Sequence, residues 1–195
     1  MKREANRSLM EEFDFQFNDW ELSEVHKFFK FNSNIKIFEI SNGDPSITFA
    51  LSLVLKKYLK GVLSIDPINK TEIGSEVFKR KKIAFSTIYA DGCIKTESIE
   101  TESLGLNIVD DLFFNKVTKY FNNEEKPSIS VLNFCKNKFY TMQILKKYNS
   151  FIENGYIIFN NLYENKDWEE IFLRYAKDKK FIIIKEDKGL GLIMA

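Results

Sequence analysis

Two carboxylates occupy positions that call for an explanation in chemical terms. Glu39 lies inside the β-branched run Ile35-Lys-Ile-Phe-Glu-Ile40, where a lone carboxylate is costly to bury unless it meets a polar or charged group. This predicts a ligand-binding or loop-bracing role for it. Asp66 closes Gly61-Val-Leu-Ser-Ile-Asp66, and an acid at a strand end either binds a ligand or caps the turn before Pro67. Between them, Gly43 supplies either the positive φ of a turn or room for backbone to approach a ligand. Asp44, at a helix start, would repel a pyrophosphate, and too few glycines surround it for the dinucleotide fingerprint. His26 is the only histidine, so neither a Ser-His-Asp triad nor a histidine-rich metal centre can be assembled. It is expected to be a surface or packing residue. Cys93 and Cys135 form neither a CxxC pair nor a disulfide framework, which fits a reducing, cytoplasmic setting.

Bulk properties narrow the partners. The chain has 195 residues, 44% of them hydrophobic, enough for one domain with a full core. Its 29 basic and 28 acidic residues nearly cancel, so no global field points to nucleic acid. The cluster Lys79-Arg-Lys-Lys82 reads as a solvated helix end. No apolar run reaches the ~18 residues needed to span a bilayer, and the opening MKREANRSLMEEF carries charges where a signal peptide needs apolar residues. The expected partner is a small molecule, with no nucleic acid and no membrane; association with further copies is left open.

The elements that must position these residues follow from periodicity. Phe13 to Phe31, with Leu22, Val25, Phe28 and Phe29 at helical spacing, predicts a helix packed on the sheet, so residues 1–34 form an N-terminal helical segment and 35–195 the α/β domain. Ile35 to Ile40 reads as a buried strand. Asp44-Pro45 starts a helix whose inner face is Ile47, Ala50, Leu51, Val54, Leu55 and Tyr58, widened by Phe49 and Leu53. The strand Gly61 to Asp66 completes a right-handed βαβ unit. Beyond it come a polar-faced crossover helix (Glu72 to Lys82), strand Ile83 to Tyr89, helix Val109 to Phe121 and strand Ser128 to Phe134. Helix Tyr140 to Phe151 ends at Asn154-Gly155 before strand Tyr156 to Phe159. Trp168, Ile171, Phe172 and Tyr175 mark the last helix. Lys180 to Ile184 and Leu190 to Met194 read as an antiparallel hairpin. Asp91 to Asn107 is the least regular stretch, suited to a lid or an interface.

This order resembles the α/β, Rossmann-like class I S-adenosylmethionine-dependent methyltransferase fold: a mostly parallel seven-stranded sheet with a C-terminal antiparallel hairpin and helices on both faces. Within it, Ile37-Phe-Glu-Ile-Ser-Asn-Gly43, Leu63-Ser-Ile-Asp-Pro67 and Ile152-Glu-Asn-Gly-Tyr-Ile-Ile-Phe-Asn-Asn161 are most similar to the small family grouping bacterial O-methyltransferases with cephalosporin-hydroxylase-like proteins. The resemblance implies S-adenosylmethionine as cofactor. Glu39, Ser41 and Gly43 would border its methionine part, Asp66 would accept its ribose hydroxyls, and Asp91 would lie near the adenine. It departs from the family's glycine loop, since Ser41 replaces the first glycine and Pro45 follows Asp44. Where metal-dependent relatives carry acids, Asn133 and Asn160 stand, with Cys135 and Lys136 where a further acid and a histidine often occur. Neutral amides suit a hard cation poorly, so no catalytic metal is expected.

The expected activity is metal-free methyl transfer to an oxygen or nitrogen of a small molecule, with Asn133, Lys136 and Asn160 positioning the acceptor. Such a displacement demands proximity and alignment above all. A catalytically degenerate fold acting as a binding or assembly subunit is the alternative. A nicotinamide-dependent oxidoreductase is disfavoured by Asp44 and the missing fingerprint.

Overall fold

The computed structural model describes residues 19–29, 34–40, 46–66, 78–89, 94–96, 99–100, 111–121, 127–133, 138–184 and 188–195. After helix α1 (Asp19–Phe28) come β1 (Ile35–Ile40), α2 (Ser46–Val54), β2 (Leu59–Asp66) and β3 (Phe85–Tyr89). The short strands β4 (Ile94–Thr96) and β5 (Ile99–Glu100) precede α3 (Asp111–Tyr120), β6 (Ile129–Leu132), α4 (Lys138–Lys147), α5 (Asn149–Ile152) and β7 (Tyr156–Phe159). A 3-10 turn (Leu162–Glu164), α6 (Lys166–Ala176), β8 (Lys180–Ile183) and β9 (Gly191–Met194) follow. No helix among the described residues is long and apolar enough to cross a membrane.

All the strands join one sheet in the order β5-β4-β3-β2-β1-β6-β7-β9-β8. Among the described residues it therefore has nine strands, not the seven expected. The run β3-β2-β1-β6-β7 is parallel throughout, while β4 and β5 at one end and β9 and β8 at the other pair antiparallel. The two additional strands, three and two residues long, fall in the stretch that looked least regular. Antiparallel edge strands this short have no room for a recognisable period-2 pattern. The expected hairpin is present, with Lys180 opposite Met194 and Ile183 opposite Gly191.

Each face of the sheet carries its own core. On one, Ile35, Ile37, Val62, Ile129, Val131, Ile158 and Leu192 meet α1 and α2 through Val25, Phe28, Ile47, Ala50 and Leu51. α2 is buried along most of its length, which is why its sequence SITFALSLV carries no charge. On the other face, Phe38, Leu63, Leu132, Ile157, Phe159 and Ile193 pack against α3 to α6. α6 shows the local causes clearly. Asn165 caps it by accepting from the Asp167 amide at 2.8 Å, and Trp168, Ile171 and Phe172 recur on its buried side, as a 3.6-residue period requires. The helix expected over Tyr140 to Phe151 is instead two, α4 and α5, parted at buried Tyr148.

Two local features carry predictions. Gly155 enters β7 at φ 149°, and a Cβ there would lie 2.5 Å from the Ser128 carbonyl oxygen, the same oxygen that accepts the Tyr156 amide. Gly155→Ala should cost roughly 1–3 kcal/mol, read as a lower urea midpoint at unchanged slope. On α6, burial chiefly, then the Glu153 carboxylate, pushes the Tyr175 phenol up to about 12 against partial relief from Arg174. The fold favours the protonated phenol, so this contribution is complete below the ordinary value of 10.0 and is lost as pH rises towards about 12. Tyr175→Phe should flatten the loss of stability across that window in denaturation series; an unchanged slope would refute the assignment.

Candidate functional site

From β1 the chain passes through α2 to β2 on one side and moves outward to β3. It then returns to the other side of β1 as β6, with β7 beyond. The direction of winding reverses between β1 and β6, and in open parallel sheets ligands bind outside the strands' carboxyl ends at such a reversal. Ile40 and Leu132 are the last residues of these two strands. Their ends are locked together, since the Asn133 amide donates to the Ile40 carbonyl and the Asn160 amide to the Leu132 carbonyl, both at 3.0 Å.

At this point the polar side chains of three adjacent strands form one hydrogen-bonded line. Glu39 is fully buried, and its Oε1 accepts from Thr48 Oγ1 of α2 at 2.6 Å and from Asn133 Nδ2 at 3.1 Å. Asn133 Oδ1 in turn accepts from Asn160 Nδ2 at 2.8 Å, and Asn160 Oδ1 accepts from the Asn161 amide at 3.0 Å. Every donor points towards the carboxylate, the orientation that stabilises a negative charge in a medium of low dielectric. The Asn160 carbonyl accepts from Trp168 Nε1 at 2.9 Å, which ties the line to α6. Ser64, opposite Glu39 in the β1–β2 register, is buried, and its Oγ finds no hydrogen-bond partner among the described residues.

Thus Glu39, Asn133 and Asn160 of the residues singled out in the sequence come together. Asp66 ends β2 beside Tyr89 of β3; its side chain is outside the described part, as are Ser41, Gly43, Asp91 and Lys136. Sequence reasoning missed Thr48, Ser64 and the role of the Trp168 indole. A threonine on the buried side of an uncharged helix was the available signal for the first. Among the described residues no three His, Cys, Asp or Glu side chains cluster as metal ligands. Asn133 and Asn160 use their amides on Glu39 and on one another.

Solved structures share this architecture, among them the following three. A caffeoyl-CoA O-methyltransferase-like protein from Staphylococcus aureus superposes with a TM-score of 0.60 at 14% identity, covering 98% of this chain and 91% of that one. For an rRNA methyltransferase from Streptomyces viridochromogenes the values are 0.55 and 8%, with 92% and 86% covered. A precorrin-6y C5,15-methyltransferase from Geobacter metallireducens gives 0.50 and 7%, with 94% and 93% covered. No protein-family model matches the chain, and no curated protein matches it in sequence. The strand order and these likenesses establish the class I S-adenosylmethionine-dependent methyltransferase fold.

Proposed function

We propose that the chain binds S-adenosylmethionine across the β1–β6 strand ends and transfers a methyl group to an oxygen or nitrogen of a small molecule. The observation that carries this is Glu39. A fully buried carboxylate held by two donors at the topological reversal is costly in an apolar core but suited to a ligand bearing an ammonium and a sulfonium. Buried Ser64 beside it adds a polar wall, and Asp66 at the end of β2 is the residue assigned to the ribose hydroxyls. When bound, the cofactor supplies an electrophilic methyl carbon. The chain's own part is to orient: Thr48 and Asn133 hold the Glu39 carboxylate in one rotamer, and Trp168 holds the strand end carrying Asn160. Proximity and alignment of this kind supply much of the rate in such displacements.

One observation favours a second reading, a binding or assembly subunit without catalysis. The Asn133 and Asn160 side chains, expected to face an acceptor, are 1% and 6% exposed and satisfy one another. They brace the Glu39 line rather than offer free groups. Calorimetric titration of the protein with S-adenosylmethionine and S-adenosylhomocysteine separates the readings. Micromolar binding, weakened at least tenfold in a folded Asp66→Ala variant, is the result expected. Absence of binding at millimolar ligand, a limit of about −4 kcal/mol, would leave the scaffold.

A further inference from the structure

α4 and α6 each follow a strand that ends at the β1–β6 crevice, so they run from that end of the sheet back towards the other. Between their C-terminal halves and α5 lies a cleft of about 700 Å³, within the ~300–1,000 Å³ range of small-ligand sites. Its lining comes from the middle and last turns of α4 and α6 and from Asn149 and Glu153, which places it in the helical layer, apart from Glu39. The floor is apolar, formed by Met142, Leu145 and Ile171. One wall is polar and braced: Tyr175 donates its hydroxyl to Asn149 Oδ1 at 3.1 Å, and Asn149 Nδ2 donates to Glu153 Oε2 at 2.9 Å. Lys146 and Arg174 line the cleft too. Both sit in the last turns of their helices. Neither forms an ion pair among the described residues, whereas Lys147, next in sequence, pairs with Asp111.

We propose that this cleft is a second binding site, taking a small amphiphilic anion whose planar apolar body lies on Met142, Leu145 and Ile171 and whose acid group meets Lys146 and Arg174. A thioether beside aliphatic side chains suits a flat apolar ligand, and Lys146 and Arg174 outnumber the lining carboxylate of Glu153, which Asn149 already engages. The site is independent of the cofactor crevice and of whether catalysis is retained.

The probe is 8-anilinonaphthalene-1-sulfonate, an aromatic monoanion of fitting size, titrated by fluorescence into the folded full chain. One probe per chain is expected, undisturbed by saturating S-adenosylhomocysteine. Lys146→Gln with Arg174→Gln should weaken it by roughly tenfold, the loss of two exposed charge contacts. Met142→Trp, which fills the floor from a partly exposed position, should abolish it; circular dichroism verifies that both variants are folded. Absence of binding, more than one probe per chain, displacement by S-adenosylhomocysteine, or equal affinity in both variants would each overturn the proposal.

Discussion

Glu39→Gln is expected to weaken S-adenosylhomocysteine binding by roughly 10–100-fold, the equivalent of one hydrogen bond to a charged group at about 1.5–3 kcal/mol. Thermal stability of the ligand-free protein should stay the same or rise. The opposite signs follow from the same burial. The glutamine carbonyl can still accept from Thr48 and Asn133, the two donors that now converge on Oε1, so the internal line survives. What disappears is a buried carboxylate charge, costly to desolvate and suited to a cationic ligand, the usual exchange of stability for function at a binding site. Glu39→Ala is the contrasting case. It leaves two buried donors without their acceptor, each costing about 1–3 kcal/mol, and should lower the melting temperature as well as the affinity. Calorimetry and thermal melts on the two variants give four numbers. Unchanged affinity in the glutamine variant would make Glu39 a structural brace and remove the main support for a cofactor at this site.

Trp168→Ala should cost about 3–5 kcal/mol, a large share of the ~5–15 kcal/mol that a domain has in total. The side chain is 1% exposed, its ring packs 4.8 Å from that of Phe159, and its indole N–H bonds to Asn160 at the end of β7. Trp168→Phe separates packing from hydrogen bonding. It keeps most of the apolar contact but leaves the Asn160 carbonyl without this donor, so a loss of about 1–3 kcal/mol is expected. Urea denaturation measures both. Because Asn160 continues into Asn133 and Glu39, the phenylalanine variant should also bind S-adenosylhomocysteine more weakly. A phenylalanine variant as stable as the parent would mean that the indole hydrogen bond does not hold the strand end.

Part of the site was legible because burial of charge is visible in one dimension. An acid inside IKIFEI must find a polar neighbour wherever the strand lies, so Glu39 stood out before any neighbour was known. Asn133 and Asn160 were expected near strand ends as groups that position an acceptor; the structure sets them directly after β6 and β7. Only the parallel pairing of β6 with β7, which sets Val131 opposite Ile158 two residues earlier, brings their amides side by side and closes them off.

The amino-acid sequence determined the alternation of strands and helices, the inward face of α6 and the closing hairpin, because periods of 2 and 3.6 residues are local properties. Tertiary structure alone decided the ninefold strand count, the order across the sheet and the polar line from Thr48 to Asn160. Its hydrogen bonds join residues 9, 94 and 27 positions apart. Which side chains meet over such separations depends on strand register and on the face each strand presents, and both are set by pairing with distant backbone rather than by neighbouring residues.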